Sequence, residues 1–164
     1  MRRRKPDPAA TAAPADQQAA RLAALRLLNR RDHGARELAT RLAERGFEPA
    51  TATVVVERLI QEKLLDDARF ALHFVAYHAN RGQGPVRITH QLREAGVAAE
   101  LIKTTVDAGS AEWRRRCAEV RRKRFGTREA GSWAERGRQA RFLTQRGFNS
   151  DQVRAAIGRD LDGE

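Results

Sequence analysis

The sequence has few of the residues on which secreted, membrane-bound and metal-dependent proteins rely. Its 164 residues include one cysteine, Cys117, which excludes an intramolecular disulfide and a metal site built from cysteines. No stretch reaches the roughly 20 apolar residues that a membrane-spanning helix needs. The basic N-terminus lacks the apolar segment of a secretory signal, because Pro6, Asp7 and Pro8 interrupt it. These absences predict a cytoplasmic protein without membrane contact.

Aromatic residues are also scarce. They make up 5% of a chain that is 41% hydrophobic, and much of that apolar content is alanine, which buries little area per residue. Several small helical modules therefore fit the composition better than one core of bulky side chains.

Positive charge is abundant. The 32 Lys and Arg residues outnumber the 21 Asp and Glu residues, which gives a formal net charge of +11, and arginine supplies nearly all of the excess. This balance favours a polyanionic partner, either nucleic acid or an acidic protein groove. A guanidinium group makes flat, bidentate contacts with phosphate or carboxylate, so the preference for arginine fits recognition.

A repeat organises most of the chain. The segment LAERGF (42–47) matches LREAGV (92–97) and LTQRGF (143–148), and its glycines lie 50 and then 51 residues apart. In each copy, apolar residues recur at helical spacing up to a glycine. Glycine readily adopts the left-handed conformation that often follows the last residue of a helix, and a new helix is predicted directly afterwards. Such a period is typical of stacked modules.

The repeat predicts an all-α fold of three tandem three-helix repeats that form an elongated, curved array. We place the repeats at 16–63, 64–109 and 110–164, with first helices at about 16–30, 67–80 and 112–125. Residues 1–15 combine basic residues with proline and alanine, which predicts a disordered, flexible basic tail.

Two adjacent aspartates, Asp66 and Asp67, pose the question of catalysis. They precede an apolar helical stripe that begins at Phe70, so they lie at the N-terminus of the predicted helix. At that position a carboxylate can accept hydrogen bonds from unpaired backbone N–H groups. Adjacent side chains point about 100° apart on a helix, so a shared metal ion is disfavoured. We therefore interpret the pair as a helix start.

Other motifs with chemical potential are weak. His73 and His78 are five residues apart and lie on different helical faces, and no histidine pair has the spacing of a zinc-binding helix. The segment RGQGP (81–85) lacks the ending of a phosphate-binding loop, so we interpret Gly82 as a helix end and Pro85 as the next helix start. We expect no catalytic residue, no metal ion and no cofactor.

The arginines are the candidate binding residues. Residues seven apart share a helical face, and several arginines form such rows or stand outside the apolar stripes of successive modules. The candidates are Arg41, Arg45, Arg69, Arg81, Arg87, Arg93, Arg114, Arg115, Arg121 and Arg122. A stacked array could present them along an extended partner.

A longer pattern resembles the RecX family of bacterial regulatory proteins. It consists of LLDDARFA (64–71), Phe74-Val75, RGxGPxRI (81–88), Leu92 with Gly96-Val97, RKRF (122–125) and RFLxxRGF (141–148). The resemblance covers about 21–158 and is specific, because several unusual residues hold fixed positions across more than thirty residues of the central motif.

The resemblance implies tandem three-helix repeats and a non-enzymatic role. A member of this family is expected to bind the RecA recombinase and its filament on single-stranded DNA, and to inhibit ATP hydrolysis, strand exchange and filament growth. It would thereby modulate recombination, DNA repair and the SOS response, with possible direct DNA contact; we expect a monomer. The alternative is a DNA-binding helical module that acts as a transcriptional or architectural regulator, since three-helix units resemble helix-turn-helix readers in outline.

Overall fold

The computed structural model describes residues 14–158, and this part of the chain consists of nine α-helices without a strand. The helices are α1 (Pro14–Leu28), α2 (Ala35–Glu44), α3 (Pro49–Gln61), α4 (Asp67–Asn80), α5 (Pro85–Glu94), α6 (Ala99–Val106), α7 (Ala111–Phe125), α8 (Trp133–Gln145) and α9 (Ser150–Ile157). The predicted all-α fold of three-helix repeats is therefore confirmed. Nearly all of the predicted tail, residues 1–13, lies outside the described residues.

The predicted glycine hinges are present in all three repeats. Gly46, Gly96 and Gly147 have φ values of 90°, 81° and 94°, which is the left-handed region that glycine enters without steric cost. In the first repeat Phe47 N–H donates to the Leu42 carbonyl at 3.2 Å, which is the bond of a Schellman cap, and the third repeat has the same bond. The hinge therefore satisfies carbonyl groups that the helix end would leave unpaired.

The residues at several helix starts explain where those helices begin. Pro49 occupies the first turn of α3, where its missing N–H costs nothing. Asn149 begins α9 with a complete capping box, in which its side chain and that of Gln152 each accept a backbone N–H at 2.9 and 3.0 Å. Gly82 (φ 78°) follows the end of α4, and Pro85 begins α5, as predicted.

Asp66 and Asp67 cap two different helices. Asp66 accepts the N–H groups of Ala68 and Arg69 at 2.8 and 3.2 Å, so it caps α4 as predicted. Asp67 instead accepts the N–H of Ala35 at 2.7 Å, which is the first residue of α2. The second cap joins segments 32 residues apart, which local spacing does not predict.

The chain divides into two compact units. Unit 1 comprises, among the described residues, 14–71 together with 95–97. Its core lies between α1, α2 and α3, where α1 contributes Ala20, Ala24 and Leu27. Other leucines of α1 are less buried, and Leu22 is exposed. Small alanine side chains bury only a little area each, but they let the helix backbones approach closely.

Unit 2 comprises 72–94 and, among the described residues, 98–158. Its core is formed mainly by α5 to α9. The fully or nearly fully buried apolar residues there are Ile88, Leu92, Ile102, Val106, Trp113, Cys117, Leu143, Phe148, Val153 and Ile157. The Trp113 indole N–H donates to the Val106 carbonyl at 2.7 Å, so the one polar atom of this ring is satisfied inside the core. The repeat bounds 16–63, 64–109 and 110–164 stay a prediction.

Hinge glycines also serve as contact points between segments of successive repeats. In unit 2, Gly84 N–H donates to the Arg146 carbonyl at 2.8 Å, and Val86 N–H donates to the Gly147 carbonyl at 2.9 Å. The two backbones are so close that a Cβ at Gly84 would lie 2.3 Å from the Gly147 carbonyl carbon. The start of α5 is therefore fixed against the end of α8. Among the described helices none is long and apolar enough to span a membrane.

Candidate partner-binding surface

The ten predicted arginines are divided between the two units, and nine of them are exposed. Unit 1 contains Arg41, Arg45 and Arg69, and unit 2 contains the other seven. Arg41 pairs with Glu44 at 3.1 Å, and Arg69 lies 3.5 Å from Asp32. These carboxylates offset part of the positive charge of unit 1, which leaves unit 2 with the denser basic surface.

Four predicted arginines belong to α7, and they differ in accessibility. Arg114 and Arg122 are exposed. Arg115 is held by Glu112 at 2.7 Å, and this hydrogen bond raises the pKa of the guanidinium and lowers the pKa of the carboxylate. Arg121 is half-buried, because its Nε donates to the Gln139 side chain at 2.9 Å and a terminal nitrogen donates to a carbonyl of the α7–α8 loop at 2.7 Å. We therefore assign Arg121 to the packing of α7 on α8.

A group of cations surrounds a cleft of about 360 Å³ in unit 2, which we call the basic cleft. It lies between the end of α4, the face of α7 and the end of α8. Five cationic side chains line it, and the single carboxylate among the lining residues is Glu119. The cations are Arg81, Arg116, Lys123, Arg124 and Arg146. Of these, Arg81 alone is among the ten arginines predicted from the sequence.

Neighbouring groups orient the guanidinium groups of the basic cleft. Arg116 donates to the Asn80 side chain at 3.1 Å, and Arg146 donates to the Arg81 carbonyl at 3.4 Å. The Arg81 guanidinium lies 4.6 Å from the centre of the Tyr77 ring, a cation–π distance. Since these side chains are already ordered, binding an anion would cost less conformational entropy than recruiting free arginines.

Two features of the backbone create the basic cleft. Gly82 has φ 78°, and a Cβ at that position would lie 3.2 Å from the Val120 side chain, so the absence of a side chain lets the end of α4 approach α7. At α8, Arg146 immediately precedes hinge Gly147 and is thereby placed at the cleft. The motif Arg146-Gly147-Phe148 was visible in the sequence, but its position beside Arg81 follows from packing.

Burial shifts the pKa of two titratable groups in unit 2. It is the largest cause that lowers the pKa of His78, and the positive charges of Arg81 and Arg87 also lower it. Burial raises the pKa of the Cys117 thiol to about 12. In the described part of the chain, no three histidine, cysteine or acidic side chains are grouped so that they could hold a metal ion. The chemistry that this surface offers is attraction and hydrogen bonding to anions.

Comparison with known proteins identifies the family. Three family models match in succession: "RecX, first three-helix domain" over residues 20–59, "RecX, second three-helix domain" over 66–106 and "RecX, third three-helix domain" over 112–157. Together the matches cover most of the chain and follow the order of the observed helices.

Curated relatives with the name Regulatory protein RecX align over nearly their whole length. The protein from Halorhodospira halophila is 48% identical over 148 residues, which is 90% of this chain and 92% of the relative. The protein from Pseudomonas fluorescens is 37% identical over 145 residues, 88% of this chain and 94% of the relative. The protein from Stenotrophomonas maltophilia is 36% identical over 139 residues, 85% of each chain.

Two solved structures share the fold. The crystal structure of RecX from Lactobacillus salivarius superposes with a TM-score of 0.75 at 17% identity, over 88% of this chain and 96% of that one. A second crystal structure, of regulatory protein RecX, gives a TM-score of 0.73 at 21% identity and covers 96% of this chain and 80% of that one. With three successive domain matches and close full-length relatives, the chain belongs to the RecX family of regulatory proteins.

Proposed function

We propose that this protein binds the RecA recombinase and its filament on single-stranded DNA, and that binding inhibits ATP hydrolysis, strand exchange and filament growth. The protein would thereby modulate recombination, DNA repair and the SOS response. The observation that carries the proposal is the match to all three RecX domains in one chain. The role in the cytoplasm and the monomeric state predicted from the sequence belong to the same proposal.

The charge distribution supports a filament as partner. A filament on DNA offers phosphates and acidic protein side chains along its length, and this chain has a formal net charge of +11. The basic cleft concentrates five of its cations at one place in unit 2. Guanidinium groups pair with both carboxylate and phosphate, so the cleft could contact the protein or the DNA of a nucleoprotein filament.

Inhibition of this kind needs no bond chemistry. A ligand shifts an assembly equilibrium by binding one state more tightly than another, and about 1.4 kcal/mol of preference changes the ratio of states tenfold. A protein that prefers the inactive or disassembled form of a filament therefore lowers activity through affinity alone. The proposed role is regulatory, in keeping with the family.

The first experiment adds the purified full chain to RecA on single-stranded DNA. The rate of ATP hydrolysis is followed, and filament length is measured by electron microscopy. We expect hydrolysis to decrease and filaments to shorten as the chain approaches the concentration of RecA. Unchanged hydrolysis and unchanged length at several-fold excess over RecA would contradict the proposal. A sequence-dependent gel shift of duplex DNA without RecA would instead support the alternative of a transcriptional or architectural regulator.

A second experiment locates the contact. The triple variant Arg81→Glu, Lys123→Glu, Arg124→Glu reverses three charges of the basic cleft and should raise the concentration needed for half-inhibition, with unchanged helical content by circular dichroism. The matched control reverses the exposed Arg26, Arg30 and Arg58 of unit 1, which changes net charge equally outside the cleft. Equal loss of inhibition in both variants would show that total charge matters and the cleft does not.

The arginines predicted from the sequence provide a further comparison. Joint replacement of Arg69, Arg81, Arg87 and Arg93 by glutamate is expected to weaken inhibition, and all four side chains are exposed. If that variant inhibits as strongly as the parent protein, the contact moves to the basic rows of α7 between Arg114 and Arg124, whose exposed arginines are Arg114, Arg115, Arg122 and Arg124. Weaker inhibition in added salt is expected in either case, because contacts with phosphate release counterions.

A further inference from the structure

A second groove in unit 2 combines aromatic rings with arginines, and we call it the aromatic groove. It encloses about 570 Å³ between the end of α7 and one face of α8. The rings are those of Phe125, Trp133 and Phe142, and the cations are Arg124, Arg138 and Arg141. None of the described residues that line it is acidic. Its composition therefore differs from that of the basic cleft, which has a carboxylate.

Trp133 is the unusual residue of this groove. It is 79% exposed, whereas the other exposed large hydrophobic residues of the described chain are 42% to 59% exposed. The second tryptophan, Trp113, is 4% exposed and hydrogen-bonded in the core. The exposed part of the ring contributes no hydrophobic stabilisation, because that stabilisation comes from removing apolar surface from water. Most of the Trp133 surface is therefore available to a ligand.

The surroundings of Trp133 position it for a flat ligand. It is the first residue of α8, and the preceding Ser132 caps this helix by accepting the Glu135 N–H at 3.2 Å. One turn further, at the same helical face, stands Gly137, where a Cβ would meet no atom within 4 Å. After another turn follows Arg141, which also lines the groove. The face thus presents an indole ring, a gap without a side chain and then a cation.

The other two rings are already paired. Phe125 and Phe142 meet edge to face with centroids 5.4 Å apart, and the Arg124 guanidinium lies 5.6 Å and 6.0 Å from their respective centres. These contacts hold Arg124 at the border between the aromatic groove and the basic cleft, since it lines both. Trp133 is the ring of the three with most of its surface open to a ligand.

We propose that the aromatic groove binds unpaired bases of single-stranded nucleic acid, with a base stacked on Trp133 and the adjoining phosphates held by Arg138, Arg141 and Arg124. An exposed ring beside several cations matches the two parts of a nucleotide, a π-face and an anion. An acidic peptide would use the arginines but not the indole ring. Duplex DNA offers its phosphates, but its base faces are covered by neighbouring bases.

The inference deepens the proposed function and rests on it for the setting in which nucleic acid is met. Its test contains no RecA, so its failure would be distinct from a failure of RecA inhibition. The full chain is titrated with an oligothymidylate while tryptophan fluorescence is recorded. Because Trp113 is buried, quenching reports on Trp133. We expect quenching by the oligothymidylate and little quenching by an abasic oligomer of the same length, which has phosphates but no bases.

Variants then measure the stacking contribution through the anisotropy of a labelled oligomer. Trp133→Ala should weaken binding of the oligothymidylate about 5- to 150-fold, the range that corresponds to one aromatic–base stack. Trp133→Phe should retain most of the affinity, and binding of the abasic oligomer and of duplex DNA should be unchanged. The matched control is Leu72→Ala in the same unit, whose side chain is 59% exposed and does not line the groove. An oligouridylate arm shows whether ribose is accepted equally.

One result would overturn the inference: equal affinity of the parent protein and Trp133→Ala for the oligothymidylate. If Trp133→Ala then also inhibits RecA more weakly, the aromatic groove is a protein contact.

Discussion

Replacing hinge glycines by alanine tests whether the three hinges, equivalent in sequence, are equivalent in energy. Gly46 and Gly147 have nearly the same φ, 90° and 94°. A left-handed conformation costs a residue with a Cβ about 1–2 kcal/mol, so both substitutions should destabilise the protein by at least that amount. At Gly46 the cost should end there, because a Cβ would meet no atom within 4 Å.

Gly147→Ala should cost considerably more. Its Cβ would lie 2.4 Å from the Arg87 Cβ and 2.7 Å from the Arg87 backbone nitrogen, atoms that cannot move without moving α5. Separating α5 from α8 would also strain the two backbone hydrogen bonds of Gly84 and Val86. Each such bond contributes about 0.5–1.5 kcal/mol, so the expected total is about 2–5 kcal/mol.

Gly96→Ala is expected to lie between the other two. Its Cβ would come within 2.1 Å of the Arg36 Cδ and 2.7 Å of the Arg36 Cβ, and the outer part of this exposed side chain can rotate away. The assay is urea denaturation followed by circular dichroism, with the same m-value required in all variants. Equal destabilisation by Gly46→Ala and Gly147→Ala, within about 0.5 kcal/mol, would refute the steric argument, since such a difference is within ordinary additivity error.

Three further predictions concern buried and capping groups. Cys117 should resist a thiol reagent in the native state and react on unfolding, because burial raises its pKa to about 12; fast native-state labelling would contradict this. Burial also lowers the pKa of His33 below 6.5, so the unfolded chain binds the proton more readily and the free energy of unfolding should decrease as pH falls from about 7 to 5.5. His33→Gln should reduce that pH dependence. If the free energy of unfolding, measured by urea denaturation at each pH, changes with pH as much as in the parent protein, His33 is not its source. Asp67→Ala should cost about 0.5–2 kcal/mol by uncapping α2 at Ala35, and a native-like denaturation midpoint would show that the cap is dispensable.

Local sequence was sufficient for the helices and their ends. The glycine period indicated three hinges, and each hinge has the predicted left-handed backbone because a residue without Cβ adopts it at no steric cost. The first helices predicted at 67–80 and 112–125 agree with α4 and α7 to within one residue. The first helix of the chain begins at Pro14, two residues before its predicted start.

The candidate site was only partly predictable. Helical spacing showed which arginines share a face, and nine of the ten selected residues are indeed exposed. It did not show that Arg121 points to the buried Gln139, or that Arg81 and Arg146, 65 residues apart, line one cleft. Nor did it single out Trp133, since an exposed and a buried tryptophan look alike in a sequence.

The sequence by itself determined the family, the number of helices, the spacing of the repeats and the excess of positive charge. These properties follow from residue identity and short-range spacing, which set backbone preferences and charge before any tertiary contact forms. The tertiary structure alone decided that Asp67 caps a helix 32 residues away and that Gly147 is crowded while Gly46 is open. It also decided that cations of α7 meet those that directly follow α4 and α8 in the basic cleft. Each of these depends on which surfaces pack together, and packing brings together residues that no local spacing relates.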